Sequence, residues 1–546
     1  ATAAVFCAGL ASGAALYAAL ERRSRNAALQ STAPLDPKDA EALRHPAAGL
    51  TELLIKYRAN VQRKDPHRGD PGNDSYPIRS RVKPGSVIAA LPGACPELPE
   101  SYDQIFRDVE RIILPALAHW SAPNFHAYFK TCGADPSALA DFLCSELNVV
   151  GFSWIAAPAA TELEQVVCDW FAKLLDLPAC FLSSSPGGGV IQGSASDSAL
   201  CALIAARHAA LAGFEGAERT ERASKLVVYV SDQTHAIAEK GCMVLDLPHL
   251  RVIPTVRGKV DVDNYGLAPD DVARAMAEDV EAGLIPFCLI PTVGTTSTTA
   301  IDPIRALVRV ARQQPVPVWV HVDGAYGGAA AVCPEFQHWF DGAEDCDSIC
   351  VNTHKWLLVS FDASVLWVKD RRPLIQSLAL DPEYLKNDFM HQSVQYKDWQ
   401  VPLGRRFRAL KLWFTFRRFG AEGLRSHIRQ TIEWAKRVDR QLVADGRFDI
   451  FVPTRMGLVS FVVAFGGREL NEELLRRVNE SGKAFLIHSV VKGTHFLRLA
   501  IGGLEVDEWH VDHVVSLLRS ALSEVVDENP KWQQLQREHL SQAARQ

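Results

Sequence analysis

Four short apolar runs punctuate the middle of the chain: KLVVYVS, LIPFCLIPT, VPVWVHVD and DSICVNT. Between them lie segments with helical periodicity, such as TELEQVVCDWFAKLLDL and DSALCALIAARHAAL. Runs without polar alternation suit strands buried on both faces, and intervening helices suit crossover connections. From about residue 135 the pattern therefore predicts an α/β region built on a mostly parallel sheet. After about residue 410 the texture changes to long amphipathic helices, for example RSHIRQTIEWAKRVDRQLVAD, then GLVSFVVAF, THFLRLAIGG and a last helix, DEWHVDHVVSLLRSALSEVV. That order reads as a smaller α+β domain. Residues 21–75 are polar and broken by Pro and Gly around one helical stretch, AAGLTELLIKYRANVQ. PELPESYDQIFRDVERIILPALAHW reads as one helix that packs on a single face. The expected organisation is an apolar segment over 1–30, a helical segment over 31–134, a large α/β domain over 135–410 and a small domain over 411–546.

Composition narrows the picture a little. With 48% hydrophobic and 22% charged residues the chain is an ordinary globular one, and a net charge of −6 gives no reason to expect nucleic acid. The 12 cysteines are scattered without a CxxC pair, so they read as reduced core residues, with no metal expected and a cytoplasmic location. Residues 1–20 carry no charge and are followed by ERRSR. A membrane anchor, a removed targeting segment and a plain alanine-rich helix all fit that stretch.

In parallel sheets ligands gather at the carboxyl ends of the strands. His235, Thr296, Asp323 and Lys355 all follow the predicted strands. Lys355 sits in NTHKWLL, between a histidine and a tryptophan and before an apolar run, a setting that desolvates an amine and keeps part of it neutral. Asp323 closes VPVWVHVD, at the end of the preceding strand. An amine for an aldehyde and a carboxylate for a ring nitrogen are the two protein groups that pyridoxal phosphate requires; an ordinary ion pair is the plain alternative. SSSPGGGVIQGSASDSAL offers a phosphate cradle, with Gly187, Gly188 and Gly189 allowing a tight bend and Gly193 to Ser196 opening a helix. His235 in SDQTH, Thr296 in TVGTTS and Asn352 in NTHKW are the remaining polar strand-end residues; taken singly, each also reads as a turn or core residue.

PELPES, PNFHAYF, VVGFSW, PAATELE, GGGVIQGSAS, SDQTH, VGTTS, HVDGAYGG, NTHKWLL, DPEYLK and PLGRRFRALKLWF follow one another in this order. The series resembles the pyridoxal-phosphate-dependent group II decarboxylases, of the aromatic-L-amino-acid decarboxylase type, from roughly Asp36 to Val526. The resemblance implies a fold-type I transferase architecture: a large domain with a mostly parallel seven-stranded sheet, an N-terminal helical segment and a small α+β C-terminal domain. It implies that Lys355 holds the cofactor covalently, that Asp323 pairs with its ring nitrogen, and that Ala325 and His235 pack on opposite ring faces. Ala195, Ser196 and Asn352 would bind the phosphate, with His354 nearby and Thr296 beside the cofactor. Trp120, Tyr128, Phe129 and Thr131 resemble the substrate-side wall. Val150 and Phe152 would come from the second subunit of a homodimer. Tyr384, on a long polar loop, would return a proton to Cα; relatives with phenylalanine there make aldehydes instead.

Two positions bear on the substrate. Lys130 stands where the family has proline; an unpaired ammonium is costly to bury, so an outward direction is expected. Gly404 matches the small residue that goes with indole substrates in plant relatives. The expected reaction is decarboxylation of an aromatic L-amino acid, tryptophan first, then 5-hydroxytryptophan, dopa and tyrosine. The alternatives are an oxygen-consuming aromatic acetaldehyde synthase, a decarboxylase of a non-aromatic amino acid such as glutamate or histidine, and a catalytically silent scaffold.

Overall fold

The computed structural model describes residues 41–62, 76–258, 264–380, 382–386, 388–390, 392–543 and 545. The apolar stretch over 1–20 lies outside the described residues, among which no helix is long and apolar enough to cross a membrane. The chain divides into two compact units, Ala1–Phe125 with Val478–Phe485, and His126–Arg477 with Leu486–Gln546.

In the first unit the helix Arg44–Val61 occupies the predicted stretch. The single helix expected over 96–120 is shorter than its pattern: Ser101 caps it by accepting from the Gln104 N–H, and it runs over Tyr102–Asp108. It then loosens into a π turn over Val109–Ile113 and a 3-10 turn over Leu114–Ala116, where Pro115 cannot continue an α-helix.

The second unit carries a sheet of seven strands: β1 (Gly188–Gln192), β2 (Leu226–Ser231), β3 (His249–Ile253), β4 (Ile285–Leu289), β5 (Trp319–Asp323), β6 (Ser348–Val351) and β7 (Ser364–Val368). Their spatial order is β1-β7-β6-β5-β4-β2-β3. From β3 to β6 all neighbours are parallel; β7 runs antiparallel to both β6 and β1. The four apolar runs became β2, β4, β5 and β6, the contiguous centre of the sheet. Every residue of β2 and β5 is buried, which is why they show no alternation. The edge strand β3 is half exposed and β1 is hidden in the glycine run.

That glycine run corrects an expectation. Gly188 and Gly189 belong to β1 rather than to a phosphate-binding bend. A Cβ on Gly187 would lie 2.1 Å from the Cys180 carbonyl oxygen and 2.3 Å from that of Val368, and one on Gly189 2.7 Å from the Cys168 Cβ. Glycine is needed there for close packing of β1 against its neighbours. The cradle is confined to the turn at Gly193 and Ser194 and the helix Ala195–Ala210 that it opens.

The helix Ala409–Asp445 contains the predicted amphipathic stretch and bends at Gly420, whose φ is +61°. Beyond it four strands, β8 (Phe448–Val452), β9 (Leu458–Val463), β10 (Ile487–Val491) and β11 (Thr494–Ala500), form an antiparallel sheet in the order β10-β11-β9-β8.

Candidate active site

Asp323 is the last residue of β5, in register with Cys350 of the parallel neighbour β6. Its backbone is fixed on the other side, its N–H donating to the Pro291 carbonyl and its carbonyl accepting from the Val293 N–H, both at 2.9 Å. The carboxylate is 4% exposed. It accepts from the Ala325 N–H at 3.0 Å and makes no ion pair among the described residues. Immediately after β6 the chain enters the short helix Thr353–Trp356, which carries Lys355. The Lys355 amine also lacks an ion pair and a hydrogen bond among the described residues; its Nζ lies 5.8 Å from the centroid of the Phe129 ring. Burial holds this amine below the usual lysine range, partly opposed by the charge of Asp323. The plain alternative, a direct ion pair, is not what forms.

The other polar strand-end residues fall around this pair. His235 is exposed in the single chain, and its imidazole is pushed down by burial and then by the charge of Lys355, with Asp323 opposing. Asn352 donates its backbone N–H to the Ala325 carbonyl at 3.2 Å. His354 is buried, and burial followed by the charge of Lys355 lowers its pKa to about 4. Its Nδ1 accepts from the Ala363 N–H at 2.9 Å, so the neutral ring carries its proton on Nε2. Nε2 lies 3.4 Å from the Asn352 Nδ2, while Asn352 Oδ1 is buried without a partner among the described residues. A half-turn of the amide satisfies both groups: oxygen faces the Nε2 proton, and the NH2 faces the orphaned position as a donor. Ala195 and Ser196 open their helix with free N–H groups, capped by Ser194, which accepts from the Asp197 N–H at 3.2 Å. Thr296 sits half-buried in a loop held by Thr295, whose hydroxyl accepts from the Ala300 N–H at 2.9 Å. A buried unpaired carboxylate, a buried unpaired amine, an orphaned amide and a free helix start are a donor set that fits pyridoxal phosphate.

Of the expected substrate wall, Phe129 belongs here. Its ring stacks on Tyr326 at 3.5 Å and 11°, and Tyr326 stacks on Trp356 at 4.8 Å and 11°. Thr131 is half-buried, while Tyr128 is 48% exposed with φ +59°. Trp120 belongs to the first unit, its ring tilted 30° against Phe125 with centroids 4.5 Å apart. Val150 and Phe152 form a separate patch with Gly404: a Cβ on Gly404 would touch Val150 at 3.9 Å, Arg405 accepts from the Gly151 N–H at 2.9 Å, and Phe152 accepts from the Lys397 N–H at 2.8 Å. Tyr384 lies in the turn Glu383–Leu385, 78% exposed and without a hydrogen bond among the described residues. The loop that carries it is anchored at its far end, where Tyr396 donates to the Gly189 carbonyl at 3.1 Å.

Lys130 overturns its expectation. It is 4% exposed, not outward. A Cβ on Gly503 would meet its Nζ at 2.8 Å and a Glu505 carboxylate oxygen at 3.0 Å, so the ammonium and an acid share one niche. Burial lowers its pKa, opposed by Cys132 and Glu505.

One residue was missed. Arg498, in the middle of β11, is 3% exposed; its Nε and Nη2 have no hydrogen-bond partner among the described residues, and its Cζ lies 5.2 Å from the Phe129 ring centroid. Burial presses its pKa down to about 10. The signal was the charge interrupting the apolar run of THFLRLAIGG.

Residues 84–464 match the pyridoxal-dependent decarboxylase conserved domain. The chain belongs to the pyridoxal-dependent decarboxylase family. Pyridoxal phosphate is its cofactor. It is 42% identical to tryptophan decarboxylase 2 of Oryza sativa subsp. japonica, over 90% of this chain and 97% of that one. It is equally 42% identical to phenylacetaldehyde synthase of Arabidopsis thaliana, over 90% and 97%. A crystal structure of Oryza sativa TDC with PLP and tryptamine superposes with a TM-score of 0.84, at 37% identity, covering 90% of this chain and all 100% of that one.

Proposed function

We propose that this decarboxylase acts on an aromatic L-amino acid, tryptophan before 5-hydroxytryptophan, dopa and tyrosine, and releases the amine and carbon dioxide. The observation that carries the reading is the buried pair of unneutralised groups, Asp323 and Lys355, beside the stacked rings of Phe129 and Tyr326. Relatives named for tryptophan and tyrosine support the aromatic class.

Bound pyridoxal phosphate supplies an electron sink for the bond that breaks at Cα. Lys355, its amine held below the usual lysine range by burial, would be the residue that holds the cofactor's aldehyde. Asp323 would keep a proton on the ring nitrogen. The Ala195 and Ser196 N–H groups and the Asn352 amide hold the phosphate, with His354 fixing that amide and Thr296 lining the cofactor. His235 and Ala325 would pack on the two faces of the ring. Arg498, a buried cation without an ion pair among the described residues, would take the substrate carboxylate, and Phe129 borders the side chain. Tyr128 and Thr131 would extend this wall, and Tyr384 would return the proton to Cα.

A second copy of the chain completes the site in this reading. The helix Asp135–Leu147 exposes Leu139 (62%), Phe142 (49%), Leu143 (41%) and Leu147 (50%), and Val150 (50%) and Ile155 (52%) extend the same apolar stretch. Such a face favours burial against a partner. Val150 and Phe152 would enter the partner's pocket, and Gly404, packed beside Val150, would go with them.

The second reading, an aromatic acetaldehyde synthase, is favoured by the equally similar phenylacetaldehyde synthase. One experiment separates them: holoenzyme is given tryptophan, tyrosine, dopa, phenylalanine, glutamate and histidine, and amine and hydrogen peroxide are measured together. Amine from an aromatic substrate without peroxide is expected. Stoichiometric peroxide would establish the synthase, and turnover of glutamate or histidine alone would overturn the aromatic class.

A further inference from the structure

His235 sits at the end of a turn whose geometry is set from two directions. Within the turn, Thr234 Oγ1 accepts from the Ser231 N–H at 3.0 Å and Ser231 Oγ accepts from the Gln233 N–H at 3.2 Å. Asp232 is the junction: its Oδ1 accepts from Thr255 Oγ1 at 2.6 Å and from Gln233 Nε2 at 3.1 Å. Its Oδ2 takes the ammonium of Lys492, which arrives from the other sheet.

Lys492 is an unusual residue for its place. It and Gly493 are the two central residues of the β10–β11 hairpin, with φ of +50° and +81°. Two-residue hairpins of this kind favour Asn or Gly at both positions, because a Cβ is strained there. A tip lysine with no task would extend into solvent; this one turns back onto Asp232. The same hairpin makes a second polar contact, Ser489 Oγ to Ser297 Oγ at 2.7 Å, on the loop that carries Thr296. One hairpin thus grips the loops after β2 and β4.

We propose that Lys492 is a positioning residue for His235: its ion pair with Asp232 braces the turn that sets the imidazole against the cofactor. The inference rests on the placement of His235 against the ring in the function proposed above. The pair is partly exposed, 40% at Lys492 and 25% at Asp232, so its effect is modest and screened by salt.

The test uses holoenzyme carrying Lys492→Gly, Lys492→Arg, His235→Asn, and Lys492→Gly with His235→Asn. The readouts are the dissociation constant of pyridoxal phosphate, the visible circular dichroism of the bound cofactor, and the thermal midpoint of the cofactor-free protein. Lys492→Gly relieves the turn, so the midpoint should hold or rise. Cofactor affinity should nonetheless fall by about two- to five-fold, the range of an exposed ion pair, and the dichroic band should change. Lys492→Arg should restore both. In the His235→Asn background Lys492→Gly should add nothing, since the two act through one contact. An undiminished effect of Lys492→Gly in that background, or none in the wild type, overturns the proposal. Should His235→Asn itself change neither affinity nor dichroism, the placement of His235 fails, and the brace with it.

Discussion

Asp323 and Cys350 face each other in register across β5 and β6. That pairing brings the carboxylate at one strand end and the amine five residues past Cys350 to one site without letting them neutralise each other. A buried carboxylate and a buried amine, each unpaired, are costly to hold, and a site that keeps both is organised for something that binds between them. Lys355→Ala should reduce turnover to background and abolish covalent retention of the cofactor. Pyridoxal phosphate that stays bound through denaturation of the borohydride-reduced variant would contradict this assignment.

The centre of this arrangement was legible in the sequence because parallel strands buried on both faces are written as plain apolar runs, and the residues at their ends stand out. β1 was not legible: its glycines answer to carbonyls and side chains of distant segments, which no local pattern encodes. The direction of Lys130 was lost for the same reason, since Glu505 shares its niche only in the folded chain. Arg498 left a local trace, a charge amid apolar neighbours, whose meaning depends on what β9 and β10 bring beside it in the folded chain.

Packing at β1 makes a prediction about stability. A methyl group on Gly189 would press on Cys168 and on the Trp367 ring at 2.7 and 2.9 Å. Gly189→Ala should cost about 1–3 kcal/mol, as overpacking in a dense core does. Gly187→Ala, which drives a methyl into two backbone carbonyls, should cost more. Thermal unfolding of cofactor-free protein measures both. A wild-type midpoint for Gly187→Ala would mean that this corner is loosely packed.

Acid should destabilise the protein through its buried histidines. Burial lowers both His321 and His354 from 6.5 to about 4. Above pH 6.5 both states are neutral and the fold bears no proton penalty. As pH falls from 6.5 toward 4 the unfolded chain takes up protons first, so stability drops across that window and the loss is complete below it. Each group contributes on the order of 3 kcal/mol at the acid end. His321 is fully buried beside Ser348, its Nδ1 2.8 Å from the hydroxyl. The fall in thermal midpoint between pH 7 and pH 5 should therefore be smaller in His321→Gln than in the wild type. An identical slope would remove His321 from the account.

Tyr384 is the residue on which amine and aldehyde chemistry part. It is exposed in the single chain, on a loop anchored beyond it at Tyr396. If it delivers the proton to Cα, Tyr384→Phe should lower amine output and raise aldehyde and hydrogen peroxide in equal amounts. Unchanged amine release with no peroxide would assign the proton to another group.

Arg498 separates substrate binding from stability. Its guanidinium is buried with two nitrogens lacking a hydrogen bond among the described residues and the Phe129 ring beside it, so the cofactor-free protein carries much of the cost of a buried cation. Arg498→Met keeps most of the volume and removes that cost, so its thermal midpoint should equal or exceed the wild type's. If the guanidinium receives the substrate carboxylate, the same variant should raise KM for the amino acid by about ten- to a hundred-fold, since charge-assisted bonds contribute about 1.5–3 kcal/mol. The product amine has no carboxylate, so its inhibition constant should stay near the wild-type value. Parallel losses for amino acid and amine would show that Arg498 shapes the Phe129 wall and not the carboxylate site, whereas loss for the amino acid alone identifies the group it holds.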